Sequence, residues 1–249
     1  MNIPCQILPH ESADGPGNMA LDEALLDAVA DDPRAAMLRT YQWSAPTLSL
    51  GYFQAVSGAE SDPRWRGVPL VRRPTGGGAI LHHHEVTYAL VVPREHPLAR
   101  RGAALYQAVH AALAELLRAH GVAARPRGGF PESGSRIHPF LCFTDQDPED
   151  IMADGVKIVG SAQRRSSGAV LQHGSLLLKR SDLTPELPGA SDLARIPSDV
   201  HTWASLIHRQ IPGSLGLLPE PRDVAPEIRE HARRRAEEVY RNPAWTRKR

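Results

Sequence analysis

Lys157 is followed by an apolar pair, Ile158 and Val159, and then by Gly160, Ser161, Ala162 and Gln163. A polar turn over 164–168 separates this run from a second apolar one, residues 169–178, which carries Gln172, His173 and Gly174. Two β-type runs about a Gly/Ser turn predict a hairpin, and glycine within a strand marks a place where a ligand or another backbone comes close. A lysine ammonium held beside such glycines and partly out of water can polarise a carbonyl or carboxylate. The plainer alternative is a hairpin with a solvated lysine. The other chemically suggestive stretch is Arg72-Arg73-Pro74-Thr75-Gly76-Gly77-Gly78. Its glycines free the backbone to converge N–H groups on an anion, and its arginines add fixed positive charge. The Lys-Ser/Thr of a P-loop and the spaced glycines of a dinucleotide fingerprint are both missing. That leaves an anion or carbonyl cradle between two strands, or simply a glycine-rich turn.

The chain has two cysteines, Cys5 and Cys142. Cys142 lies between Leu141 and Phe143, the setting of a small buried hydrophobe. As a nucleophile, its thiolate would be favoured by Lys157 and by Arg72 or Arg73. His82, His83 and His84 suggest a metal, but strand neighbours point to opposite faces and at most two share a side. No Cys or Asp accompanies them at zinc spacing, so no metal site is assigned.

In chain order, Asn18-Met19-Ala20-Leu21-Asp22-Glu23, Thr47-Leu48-Ser49-Leu50-Gly51-Tyr52-Phe53-Gln54, the arginine–glycine stretch, Lys157 to Gln163, and Gln172-His173-Gly174-Ser175 form a set. This set resembles the lipoate-protein ligase and octanoyltransferase family, which is related to the biotin protein ligases. Leu141-Cys142-Phe143 is similar to the branch of octanoyltransferases that works through a cysteine. The resemblance implies that Lys157 touches the acyl carbonyl or acyl-adenylate and that Cys142 carries the acyl group as a thioester. It places Arg72, Arg73, Gly76, Gly77, Gly78, His82, Gly160, Ser161, Ala162, Gln163, His173 and Gly174 against the substrate. The family pattern has His then Asp after the glycines. His82 fills the first place, His83 stands at the second, and Glu85 is available as a substitute acid. His173 is expected to hold the pocket backbone together.

The implied activity is transfer of octanoyl from acyl carrier protein to a lysine of a lipoyl-domain protein, such as the glycine cleavage H protein or a 2-oxoacid dehydrogenase E2. No cofactor is needed for that reaction. The alternative is a lipoate-protein ligase using ATP and Mg²⁺. A non-catalytic lipoyl-carrier binding protein is opposed by the retention of Lys157, both arginines and the glycines.

The elements that must position these residues follow from pattern. A helix is expected from Asn18, as N-cap, to about Ala30, with Asp22 and Glu23 in its first turn. Strands are expected over 37–43, 47–52, 68–73, 80–81 and 86–92. Leu105, Val109, Leu113 and Leu116 mark an amphipathic helix, with Gly121 as its left-handed stop. Residues 125–138 read as a long loop, and helices are expected near 202–210 and 225–240. The resemblance implies one α/β (α+β) catalytic domain over 1–249, a mixed, largely antiparallel central sheet flanked by helices, shared with biotin and lipoate protein ligases.

Of 249 residues 41% are hydrophobic and the formal charge is +1. There is thus no overall field to attract nucleic acid or membrane. Residues 222–249 hold nine Lys/Arg against five Asp/Glu, which reads as a solvated helix face. No run approaches the ~20 apolar residues of a membrane helix, and no basic-then-apolar export signal opens the chain. A cytoplasmic monomer with reduced thiols is expected.

Overall fold

The computed structural model describes residues 3–128, 139–145 and 147–249. Most of the expected loop over 125–138 lies outside the described residues. The strands are β1 (Pro4–Ile7), β2 (Glu11–Ala13), β3 (Ala36–Trp43), β4 (Thr47–Leu50), β5 (Leu70–Arg72), β6 (Ile80–His82), β7 (Glu85–Pro93), β8 (Arg125–Pro126), β9 (Ile151–Ala153), β10 (Val156–Arg165), β11 (Ala169–Leu177) and β12 (Leu218–Pro221). The helices are α1 (Gly15–Asp31), α2 (Ser57–Glu60), α3 (Ala104–Ala119), α4 (Ala190–Leu193), α5 (Val200–Ser214), α6 (Pro226–Arg235) and α7 (Pro243–Thr246).

The two most continuously apolar runs become the middle of the main sheet. β7 and β11 are buried at every position, as strands covered on both faces must be. The order is β12-β1-β3-β7-β11-β10-β9-β8, with β2 beside the end of β3. β1 runs parallel to β12 and β3, and β2 parallel to β3; the remaining pairs are antiparallel. The expected mixed, largely antiparallel sheet is therefore present, and the hairpin about residue 166 is β10–β11. Residues 172–174 do not interrupt β11.

Alternation sorts the faces. Val86, Tyr88, Leu90 and Val92 pack with Leu105, Val109 and Leu113 of α3 and with Ile207 and Ile211 of α5. Ala89 and Val91 face the other way, against Leu21, Leu25 and Val29 of α1, with Ala232 of α6 behind them. Gly121, at φ 87°, ends α3 as expected.

Two expectations are corrected. α1 starts four residues early: Asp14 caps it by accepting from the Gly17 amide at 2.9 Å, and Pro16 occupies the first turn, a position where the missing N–H costs nothing. Asn18 is inside the helix and donates to Ala13 O and Gln42 O. Asp22 and Glu23 consequently fall beyond the first turn and are buried in ion pairs rather than serving the helix dipole. Secondly, β4 and its partners leave the main sheet. They form a separate three-stranded sheet, β5-β4-β6, over a core that includes Leu48, Leu50, Trp65 and Leu81.

Candidate active site

The small sheet and the main sheet meet at Cys142. Its amide donates to Ala79 O at 2.8 Å, and the Ala79 amide donates to Phe140 O at 2.8 Å. This pairing carries the segment onto the end of the glycine stretch, and a short helical turn over Cys142–Thr144 follows. From the main sheet, β10 delivers Lys157. Its Nζ lies 2.8 Å from Asp150 Oδ2, 3.1 Å from Cys142 O and 3.4 Å from Cys142 Sγ. The ammonium is almost wholly buried, at 4% exposure. Burial pulls its pKa down, but the charges of Cys142 and Asp150 outweigh burial and the net shift is upward. Lys157 is thus a cation at neutral pH, with the Asp150 carboxylate as its nearest counter-charge. Gly160 is required for this: a Cβ there would stand 2.7 Å from Lys157 Cε.

Asp150 was not found from the sequence. The turn Asp154-Gly155, with φ 48° and 81°, closes the tight hairpin between β9 and β10 and folds residue 150 back onto residue 157. Asp-Gly between short β runs is the signal that could have located it.

Behind Cys142 lies a cavity. Arg73, Gly76, Gly77, His82, Gly160, Ser161, Ala162, His173 and Gly174 line it with Cys142, as do Met19, Tyr41, Trp43 and Ile80, which sequence reasoning missed. An apolar hole with a few convergent polar groups is the usual form of a small-ligand site. Gly78 is beside it rather than in it, packed so closely that a Cβ would meet Cys142 N at 2.9 Å. Of the three glycines in the stretch, Gly77 has a positive φ, 90°.

The two arginines part company. Arg73 lines the cavity, and its guanidinium donates to Ser49 O and Oγ and to Gly76 O and Gly78 O. Burial pushes its pKa down to about 10, so it remains charged and fastens the glycine loop from inside. Arg72 does not reach the cavity. It donates to the carbonyls of Gly51, Tyr52, Gln54 and Thr246, so a role against the substrate or as partner of Cys142 is withdrawn. Gln163 likewise points elsewhere and donates to Gln172 Oε1 at 2.8 Å.

The histidines hold backbone in place. His173 Nδ1 is 2.8 Å from Asp22 Oδ2, and its Nε2 is 2.7 Å from Thr75 Oγ1. A carboxylate can only accept, so Nδ1 carries the hydrogen, and α1 is tied through β11 to the glycine loop. His82 stacks on Trp43 with ring centroids 3.8 Å apart and bonds Ser49 Oγ at 2.7 Å. Its Nδ1 is 3.1 Å from Glu85 Oε1, so Glu85 does supply the acidic partner that His83 cannot. Ser161 is gripped from the α3 side by His110 Nε2 at 2.6 Å and by Tyr88 OH at 2.7 Å.

A thiol and a buried ammonium thus stand together at an apolar cavity, between the two sheets. Residues 14–192 match the lipoyl protein ligase A/B catalytic domain, and the chain belongs to that family. It is 40% identical over 189 residues to octanoyltransferase LipM of Kyrpidia tusciae, covering 73% of this chain and 67% of that protein. It is 43% identical over 169 residues to octanoyltransferase LipM of Moorella thermoacetica, covering 65% of this chain and 60% of that one. The chain thus spans about three-fifths to two-thirds of the length of these relatives. The lipoate protein ligase fold is shared with protein Ta0514 of T. acidophilum with bound lipoic acid, at a TM-score of 0.79, 22% identity and 100% coverage of both chains. No helix among the described residues is long and apolar enough to cross a membrane.

Proposed function

We propose that the protein is an octanoyltransferase that moves octanoyl from acyl carrier protein to a lysine of a lipoyl-domain protein through a thioester on Cys142, with no need for ATP or Mg²⁺. The observation that carries this is Cys142 Sγ at 3.4 Å from the buried Lys157 ammonium, at the mouth of the cavity. An adjacent cation favours the thiolate, the nucleophilic form of cysteine. In the first half-reaction the thiolate attacks the donor thioester carbonyl, and Lys157 lies next to the oxygen that gains charge. The carrier C–S bond then breaks, and the carrier leaves as a thiolate that takes a proton from solvent. In the second half-reaction a neutral lysine amine of the acceptor attacks the Cys142 thioester. An amide forms, the amine proton goes to solvent, and the Cys142 thiolate returns to its ion pair with Lys157. The acyl chain occupies the cavity throughout, between Met19, Trp43 and Ile80.

The test is intact-mass spectrometry after incubation with octanoyl-carrier protein and no acceptor. A hydroxylamine-sensitive octanoyl adduct is expected on wild type and on Cys5→Ala, and none on Cys142→Ala. Cys5 is fully buried and burial pushes its thiol up to about 12, so it stays an unreactive thiol. Transfer that appears only with ATP and Mg²⁺, or that survives Cys142→Ala, selects the lipoate-protein ligase reading instead.

A further inference from the structure

Cys142 borders two spaces. Inward is the acyl cavity; outward is a groove that shares Gly77 and Cys142 with it and is lined by Phe140 and Phe53. Phe53 is the most exposed large apolar side chain among the described residues, at 70%. An aromatic ring left in water beside a reactive cysteine is the kind of anchor that interfaces use. The positive charges next to it lie against aromatic rings. The Arg249 guanidinium lies 5.3 Å from the Phe53 ring centroid, and Lys248 Nζ lies 3.3 Å from that of Tyr52 and 3.5 Å from that of Trp245. Asp145 and Asp147 border the same groove. The basic residues thus stand outside the groove at its Phe53 end, where an acidic surface would meet them.

We propose that Phe53, Lys248 and Arg249 form the landing surface for the acyl donor, an acidic carrier protein, and that the groove is the path of its thioester arm to Cys142. This rests on the octanoyl-transfer reading above. The groove suits the donor better than the acceptor. A carrier holds its acyl group at the end of a long flexible arm that needs a channel, whereas a lysine presents its amine on four methylenes and needs only the mouth. Charge across such a surface acts mainly on encounter and partner choice.

The experiment compares two donors: octanoyl-loaded acyl carrier protein and octanoyl-pantetheine, which has the arm's reactive end and no protein. Phe53→Ala and the double variant Lys248→Glu/Arg249→Glu are expected to raise KM for the carrier donor roughly ten-fold or more. Acylation of Cys142 by octanoyl-pantetheine should stay within about two-fold of wild type in the double variant, whose two residues stand outside the groove, which also reports that it is folded. An unchanged KM for the carrier donor, or an equal loss with both donors, overturns the proposal. Should wild type use neither donor, the transfer reading fails by itself. The surface is then judged by titrating fluorescently labelled carrier protein: weaker binding to the variants upholds it, and equal binding overturns it.

Discussion

At the scale of single residues, the chemistry centres on three side chains. Lys157 sits between Cys142 Sγ and the carboxylate of Asp150, and both ends of the Lys157–Asp150 ion pair are buried. Removing one partner of such a pair strands the other, at a cost of about 3–5 kcal/mol. Lys157→Ala is therefore expected to lose stability as well as chemistry, and the two losses can be separated. In Lys157→Ala/Asp150→Asn, urea melts should recover part of the stability, while acylation of Cys142 by octanoyl-pantetheine stays down by roughly 10²-fold or more. Recovery of the acylation rate in the double variant would show that Lys157 serves only to neutralise Asp150. Lys157→Arg should fail too: the planar guanidinium cannot replace a compact ammonium beside Gly160, which leaves no space for even one added carbon.

At the scale of elements, α1 and α3 grip the site from opposite faces. From α1, Asp22 accepts from Tyr41 OH and His173 Nδ1, both at 2.8 Å, and His173 passes the constraint to Thr75. Asp22→Asn can keep both bonds on its amide oxygen only by turning its NH2 group toward the Arg39 guanidinium, which lies 3.6 Å from the other carboxylate oxygen of Asp22, so the relay is strained. Acylation by octanoyl-pantetheine should fall roughly ten-fold or more, since small misplacements of a bound reactant cost that much. Alkylation of Cys142 by iodoacetamide should be unchanged, because the thiol itself is untouched; an unaltered acylation rate would detach the relay from the site. From α3, His110 meets Ser161 on β10, and burial drives its pKa from 6.5 down to about 4. A histidine buried neutral stabilises the fold fully above its unfolded pKa, and this contribution is lost as pH falls from 6.5 toward 4. The loss over that window is on the order of 3 kcal/mol, so the Tm of wild type should drop between pH 7 and pH 5, and that of His110→Gln should drop less. The sequence showed the β10–β11 hairpin, the glycine stretch and α3 with its Gly121 stop, because local period and turn chemistry determine them. It did not show Asp150, or that Asp22 serves His173, because those contacts depend on how distant strands come into register.

At the scale of the whole molecule, the end of the described chain closes the small sheet. Arg72 Nε and Nη2 donate to Thr246 O, and Trp245 Nε1 donates to Arg72 O at 3.0 Å. Adjacent arginines before a glycine run look equivalent in a sequence; which of them turns inward is decided by a carbonyl 174 positions away. Farther round, Glu23 on α1 accepts from Arg235 and Tyr240 and pairs with Arg164 on β10, which ties α6 and Tyr240 to α1 and to the main sheet. Arg72→Leu is expected to lower stability by about 3 kcal/mol or more, through carbonyls left without donors. The protein that remains folded should still form the octanoyl adduct on Cys142; a folded variant unable to form it would return Arg72 to the substrate. Synthesis sets a clock on this closure. At about 5–20 residues per second, a ribosome that has just placed Arg72 needs roughly ten to thirty seconds to reach the residue whose carbonyl Arg72 will hold. Until then the β5-β4-β6 layer has an open side, and Arg72 has only the carbonyls of Gly51, Tyr52 and Gln54 to hold.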